Sequence, residues 1–496
     1  MYLYLQRNVG NNSEDQAFKR MDVHITTSSH VRLANKDVQL EYSLLSMVVV
    51  LWTLMGEAER GTPASKIRAF GYCDNISYFL CQQSFGGCTL DIYMICSGKP
   101  IVLVISRTND ILHIIFLTMI PSCANAIIFN VQNFGAKANN NGRDSTKAFL
   151  QAWSLACSST APAMMWIPRG TYLVNTIAFN GACKSARVTV RIDGKIQAPP
   201  SSYWEIWNYG NWILFQGING LTVNGGILDA RGSPFWICRR ASADCPQGAT
   251  SLSFNNVKNG IISGVVSIDS QKAHMAINGC KSMKIRKVTL IAPSQSPNTD
   301  GIDIESSTGI KILDSSIKTG DDCIAIGPGT KSLLVQRIAC GPRHGISIGS
   351  LARSPNEAGV EGIKVKDVTF TGSDNGLRIK TWPKPSDGFV KNVLYQNIVM
   401  NNVRNPIIID QIYCPGTKGC SDQNSGLKIS GVTYLNVTGT SATPIAISFH
   451  CSATTPCDGI KLYNVNLTYS KQPAKSYCFS ALGTSSAGQP TPGSCF

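Results

Sequence analysis

Four short polar clusters in the second half of the chain carry side chains able to move protons and hold charge. They are Asn298-Thr299-Asp300, Gly320-Asp321-Asp322, His344-Gly345 and Arg378-Ile379-Lys380. Asp300, Asp322 and His344 follow one another at intervals of 22 residues. A side chain that recurs at such an interval, inside repeating short strands, falls on one face of successive turns of a solenoid. Strands there stack about 4.8 Å apart. Three carboxylates, an imidazole and two cations would then share one patch. That is an acid/base centre beside an anion-binding site.

Each cluster alone reads differently. An isolated Asp-Asp pair is usually a solvated turn, and neighbouring strand residues point to opposite faces unless the backbone kinks. Gly320 permits such a kink. With Asp300 one coil earlier, the carboxylates crowd, and repulsion leaves one protonated beside an ionised partner. A protonated acid beside an ionised base is what cleavage of a glycosidic bond needs. His344, in the same column, can hold or tune the carboxylate that acts as acid. Arg378 and Lys380 stand at i and i+2 on a strand and face the same way. Alone they would be a surface pair. One to two coils past the acids they suit a sugar carboxylate, which Arg grips bidentately and Lys meets as a compact charge. Tyr413 lies 35 residues beyond Arg378, close to one more coil. Its other reading is packing beside Cys414.

The elements that would position these residues repeat a small pattern. Gly or a polar residue is followed by apolar-x-apolar, as in Gly220-Leu221-Thr222-Val223 and Gly309-Ile310-Lys311-Ile312. From Ile261 the starts fall at Met283, Ile310, Leu333, Ile363, Val393, Leu427 and Ile460. Spacings of roughly 20–50 residues signal stacked repeats. Short alternating strands, Asn-rich turns and few helices point to an all-β parallel β-helix. A β-sandwich would also give short strands but not such aligned starts. One amphipathic helix is expected at Asp144–Cys157, with Phe149, Leu150, Trp153, Leu155 and Ala156 on its apolar side and Asp144 or Ser145 as its cap. It would be a short N-terminal capping helix over the open end of the solenoid.

The chain has 496 residues and a formal charge of +15. Residues 1–126 carry 10 basic and 10 acidic side chains, so the whole excess belongs to residues 127–496. A soluble basic surface or a polyanionic partner would account for it. No basic run interleaved with aromatics occurs, so nucleic acid is not the expected partner. An acidic polysaccharide fits. Of 18 cysteines, thirteen lie beyond residue 126. Close pairs are Cys238/Cys245, Cys323/Cys340, Cys414/Cys420, Cys451/Cys457 and Cys478/Cys495. Cys157/Cys183 would make a sixth and leave Cys280 single and buried. None has zinc spacing, so an oxidising compartment is the better reading. Asn436-Val437-Thr438 and Asn466-Leu467-Thr468 are weak glycosylation signals.

Residues 111–126, ILHIIFLTMIPSCANA, read as a signal-peptide-like segment with a small-x-small ending. The stretch is too short and interrupted for a membrane span, as is Leu44–Met55. Residues 1–110 are an extension of doubtful status, expected to be poorly ordered or not part of the working protein, with translation starting at Met94 as the hypothesis. The working unit is expected to be residues 127–496.

Over residues 127–496 the chain resembles a plant polygalacturonase of glycoside hydrolase family 28. The resemblance rests on Ser296-Pro297-Asn298-Thr299-Asp300-Gly301, Thr319-Gly320-Asp321-Asp322-Cys323, His344-Gly345-Ile346-Ser347-Ile348-Gly349-Ser350 and Gly376-Leu377-Arg378-Ile379-Lys380-Thr381-Trp382. Pro406 through Gln411 to Cys414, and Phe129 through Ala136, match as well. It implies a right-handed solenoid and an inverting hydrolase of α-1,4 bonds in polygalacturonate. Asp321 would be the general acid, Asp300 and Asp322 would activate water, and His344 would support the acid. Arg378, Lys380 and Tyr413 would bind galacturonate, and Asn298 would line the site. No metal or cofactor is implied. A secreted, extracellular cell-wall monomer without a membrane anchor is expected.

Several residues depart from the family pattern. Arg343 and Ala352 stand where Gly is usual, and Ala273 precedes His274 where an aromatic is frequent. Pro383-Lys384-Pro385-Ser386 replaces a Gly-rich segment. If position 343 needs a left-handed backbone, Arg adds strain on the order of 1 kcal/mol. It also puts a cation beside His344. Two rivals follow: a pectate-lyase-like β-elimination using the carboxylates for Ca²⁺, and a catalytically impaired pectin-binding wall protein. A rhamnogalacturonan hydrolase fits Arg378 and Lys380 less well.

Overall fold

The computed structural model describes residues 126–496 apart from 140–141, 201–209, 242–244, 246–247, 416–422, 486–491 and 494. Before Ala126 it describes only the backbones of ten strands, from Tyr2–Arg7 to Ile111–Ile115, paired in antiparallel sheets. Residues 1–124 and 125–496 are two separate compact units. Leu44–Met55, and the part of the signal-like segment beyond Ile115 up to Asn125, lie outside the described residues. No described helix is long and apolar enough to cross a membrane.

The second unit is a right-handed parallel β-helix. Its strands form one 17-stranded and one 11-stranded sheet, each coil adding to both. Some coils give the larger sheet one long bent strand, such as Lys311–Lys318, and others two short ones, such as Ile261–Ser263 and Val266–Ile268. The bend has a local cause. Lys287, Asp314, Arg337, Asp367, Asn397, Asn436 and Asn464 occupy it with φ between 50° and 55°. Asn and Asp tolerate that left-handed conformation best among non-Gly residues. Their amides also link coils: Asn397 Nδ2 donates to Asp367 Oδ1 at 2.9 Å, Asn436 to Asn397 at 3.0 Å and Asn464 to Asn436 at 2.9 Å. Asn436 therefore serves the solenoid, whereas Asn466 is exposed.

Inside, like stacks on like. In the narrower sheet Phe179, Phe215 and Phe254 align with Ile277, Ile304, Ile326, Ile348, Ile379, Ile409 and Phe449. All ten are at most 3% exposed, and each such side chain contributes about 1.5–3 kcal/mol by burial.

The expected repeat starts hold except two: Ile261 pairs with Lys284 rather than Met283 and faces outward, with Ile262 taking the inward place. Val432, not Leu427, pairs with Val393 in register, because Ile429 already pairs with Val390 one step earlier. Helix α1 spans Thr146–Ser158 and closes the N-terminal end through Phe149 against Tyr172 and Trp153 against Phe179 and Phe215. Asp144 Oδ1, not Ser145, accepts from the Thr146 N–H at 2.9 Å. Ala148 and Ala152 complete the buried side, while Leu150 and Leu155 are 40% and 47% exposed. A second helix, α2 (Ser233–Ala241), was not anticipated. Its Pro234 near the start and Arg239 and Arg240 in the last turn are readable signals in hindsight.

Five expected disulfides are present: Cys157–Cys183, Cys238–Cys245, Cys323–Cys340, Cys451–Cys457 and Cys478–Cys495. Cys414 is also bridged, and Cys420 lies outside the described residues. Cys280 is free and buried.

Candidate active site

The narrower sheet builds the site on its outer face. Asp300 stands two residues before strand Ile302–Glu305, Asp322 two before Ile324–Ile326, and His344 two before Ile346–Leu351. Ile302, Ile324 and Ile346 pair in register, so the three polar residues form the column that their spacing predicts. Gly320 and Gly345 allow the tight approach: a Cβ on either would fall within 2.1 Å of a neighbouring backbone oxygen.

Asp322 is the hub. It is 1% exposed and receives four groups. Arg378 Nη2 donates to Oδ1 at 2.7 Å, Ser347 Oγ to Oδ1 at 2.7 Å, and Lys380 Nζ to Oδ2 at 2.8 Å; His344 Nδ1 stands 3.9 Å from Oδ1. Arg378 Nε donates to Ser347 Oγ at 2.9 Å. Burial opposes the charge on Asp322, but Arg378 and Lys380 outweigh it and hold the carboxyl down at about 2.

Asp321 reaches the same side, as a kink at Gly320 permits: an oxygen of each aspartate and a ring nitrogen of His344 lie within 4.8 Å of one another. Asp321 contacts His344 Nδ1 at 2.6 Å through Oδ1 and accepts from Asn298 Nδ2 at 3.4 Å through Oδ2. Its Oδ1 also accepts from the Asp322 N–H at 2.8 Å.

Asp300 lies beside Asp303, a residue not singled out from sequence. Burial raises both carboxyls, and neighbouring carboxylates raise them further, Asp300 well above its ordinary range and Asp303 to about 7. The pair therefore retains a proton near neutrality, while Asp322 is ionised. Asp303 Oδ1 is buried without a hydrogen-bond partner.

Tyr413 lies over the cations, with Lys380 Nζ 5.3 Å and Arg378 Cζ 6.0 Å from its ring centre. Its ring meets Trp382 edge-on at 5.7 Å. All eight expected residues thus converge. Ser347 and Asp303 were missed, although both are polar positions between inward-facing isoleucines, Ile346/Ile348 and Ile302/Ile304. That alternation marks an outward position on a strand.

The strain expected at Arg343 is absent, because its backbone is not left-handed. Its guanidinium reaches Asp374 Oδ2 at 3.3 Å. The left-handed position is Ala352, with φ 62°. The Ca²⁺ reading meets a different obstacle. One atom each of Asp321, Asp322 and His344 lie within 4.8 Å of one another, but both Asp322 oxygens already carry cationic partners. A metal ion would have to displace Arg378 and Lys380.

A parallel β-helix with paired carboxylates and cations on one outer face defines a class of polysaccharide-cleaving enzymes, and the comparisons with known proteins narrow it. The model for glycosyl hydrolases family 28 matches residues 157–485. A polygalacturonase of Prunus persica is 48% identical over 386 residues, covering 77% of this chain and 98% of that one. An exopolygalacturonase of Platanus acerifolia is 38% identical over 73% of this chain and 96% of its own. Among solved structures, an endo-xylogalacturonan hydrolase from Aspergillus tubingensis superposes with a TM-score of 0.63 at 22% identity, over 73% of this chain and 99% of that one, a likeness of fold. The chain belongs to glycosyl hydrolase family 28 and is a glycoside hydrolase.

Proposed function

We propose that this protein is a polygalacturonase, hydrolysing α-1,4 bonds between galacturonosyl units of pectin. The observation that carries this reading is the pairing of Asp322 with Arg378 and Lys380 beneath Tyr413. Two cations against one buried carboxylate leave positive charge facing a sugar carboxylate, directly beside the acid/base group. The plant polygalacturonases above support the same substrate.

Asp321 serves as general acid. It is held by His344 and Asn298 and is less buried than Asp322. Asp322 and Asp300 hold the attacking water, with the proton retained by the Asp300–Asp303 pair. One oxygen of Asp321 lies within 4.8 Å of one of Asp322. Inverting carboxyl pairs are usually roughly 6.5–9.5 Å apart. An inverting water therefore sits toward Asp300 rather than between the adjacent aspartates. The anomer first formed, read by NMR, tests inversion directly. The reading also includes residues 127–496 as the working unit, acting in the cell wall, consistent with the bridged cysteines.

The deciding assay is release of reducing ends from polygalacturonate in EDTA by wild type and Asp321→Asn. The expected loss is about 10²–10⁴-fold, the range for removing a general acid. Unsaturated, EDTA-sensitive products would instead show a lyase. Binding of the polymer with no new reducing ends would show a wall-binding protein.

A further inference from the structure

The face that carries the carboxylates continues beyond Tyr413. Strands Asn405–Asp410, Ile445–His450 and Lys475–Phe479 extend it in parallel. Outward positions in register with Arg378 are Ile408, Ser448 and Tyr477, and those in register with Lys380 are Asp410, His450 and Phe479. The chemistry changes along these two rows. Cations give way to a carboxylate, an imidazole and aromatic rings.

A concavity of about 390 Å³ opens there, lined by Ile408, Asp410, Ile412, Tyr413, Ser448 and His450. Tyr413 belongs both to this hollow and to the roof over Arg378 and Lys380. Tyr413 therefore borders both spaces. The first added strand is one coil from the cations, about 4.8 Å, and the second about 10 Å. The His450 ring is 5.3 Å from Phe479 and 6.1 Å from Tyr477, both more than two-fifths exposed. The flat, C–H-rich side of a pyranose would sit on such a surface.

Among the described lining residues none is Lys or Arg. Asp410 is the acidic one, fixed by accepting from the Ile412 N–H at 3.1 Å. Burial already raises the Asp410 carboxyl, and Arg378, a described cation that acts on it, is engaged with Asp322, so a free sugar carboxylate here is disfavoured. Even a protonated His450 is balanced by Asp410 beside it. A methyl-esterified carboxyl avoids the repulsion and presents an apolar group to Ile408, Ile412 and the rings, while Asp410 and Ser448 meet hydroxyls.

We propose that this hollow is a sugar subsite that selects an uncharged, methyl-esterified galacturonosyl unit next to the free carboxylate held by Arg378 and Lys380. The proposal rests on the hydrolase reading above and specifies its substrate as partly esterified pectin.

The test compares kcat/KM on fully de-esterified polygalacturonate and on a partly methyl-esterified polymer, for wild type, Asp410→Lys and Phe479→Ala. In wild-type products, mass spectrometry should find methyl esters enriched at one fixed distance from the new chain end. Asp410→Lys should lower kcat/KM on the esterified polymer relative to the de-esterified one by about tenfold, the size of one mismatched pocket contact. Phe479→Ala, at an exposed position, should move the ratio in the same direction and guards against misfolding of the lysine variant. Random ester positions in wild-type products, or variants that change both substrates equally, would overturn the subsite. Failure of wild type to cut even the de-esterified polymer would overturn the hydrolase reading itself, and the subsite with it.

Discussion

The carboxylates of the outer face titrate in opposite directions, and this makes the folded state pH-sensitive in a definite way. Asp322, held at about 2 against an unfolded value near 3.9, adds stability above pH about 4 that is lost as pH falls toward 2. Asp303, raised to about 7, has the opposite sign. The folded protein binds its proton more tightly than the unfolded chain, so stability declines as pH rises from about 4 to about 7. Asp303→Asn removes that titration and gives Asp300 an amide to accept from. The variant should be more stable than wild type at pH 8, by on the order of 2–4 kcal/mol, with little difference near pH 4. Thermal melts across that range check it, and an equal gain at both ends would contradict the assignment of the proton to this pair. Ser347 supplies a second residue-scale expectation. Ser347→Ala leaves the buried Arg378 Nε without its acceptor, so the variant should lose about 1–3 kcal/mol of stability. Weaker binding of oligogalacturonide should accompany that loss, because Arg378 is no longer held. Isothermal titration alongside thermal melting separates the two effects.

At the scale of elements, the corners of the solenoid decide where side chains face. Ala352 sits at such a corner, fully buried, with φ 62° and its N–H donated to the Glu357 carboxylate. A left-handed Ala is strained by about 1–2 kcal/mol, partly offset by the greater freedom that glycine has in the unfolded chain. Ala352→Gly should therefore raise the melting temperature by a degree or more without altering kcat; a lower melting temperature would show that the corner tolerates the methyl group. Much of this architecture was legible. The interval of 22 residues and the aligned apolar starts revealed both the solenoid and the column Asp300, Asp322, His344, because strand period and coil length together fix which face a residue takes. The misses have physical reasons. The coil containing Leu427 has a second apolar pair, Val432 and Tyr434, and only pairing with Val393 and Tyr395 decides which of the two aligns with the repeat of the neighbouring coils. Leu150 and Leu155 fit a helical stripe, but the end of the solenoid is narrow, and Ala148 and Ala152 fill it instead. Asp303 and Ser347 look like ordinary outward strand residues until Asp300 and Arg378 are seen beside them.

For the whole molecule, charge is the property that sequence places but cannot weigh. The formal +15 lies entirely in residues 127–496, while residues 1–126 are balanced at 10 basic and 10 acidic side chains. Of the basic side chains in residues 127–496, Arg378 and Lys380 pair with Asp322, and the excess as a whole acts through the long-range field rather than through those contacts. Such a field draws a polyanion toward the face and is screened within about 10 Å at 0.1 M salt. The buried pairs of Asp322 with Arg378 and Lys380 are shielded from solvent and should respond little. KM for polygalacturonate should therefore rise several-fold between about 0.05 M and 0.5 M NaCl while kcat changes little. A short oligogalacturonide, which samples less of the field, should show a shallower dependence. Because the charge belongs to the second unit, residues 127–496 produced alone should reproduce the salt dependence, kcat and melting temperature of the full chain. A truncated protein with a flatter salt response than the full chain would place part of the attraction in residues 1–126, whereas a kcat that falls with salt as steeply as 1/KM would mean that the attraction resides in the cleft contacts themselves and that the basic surface serves solubility alone.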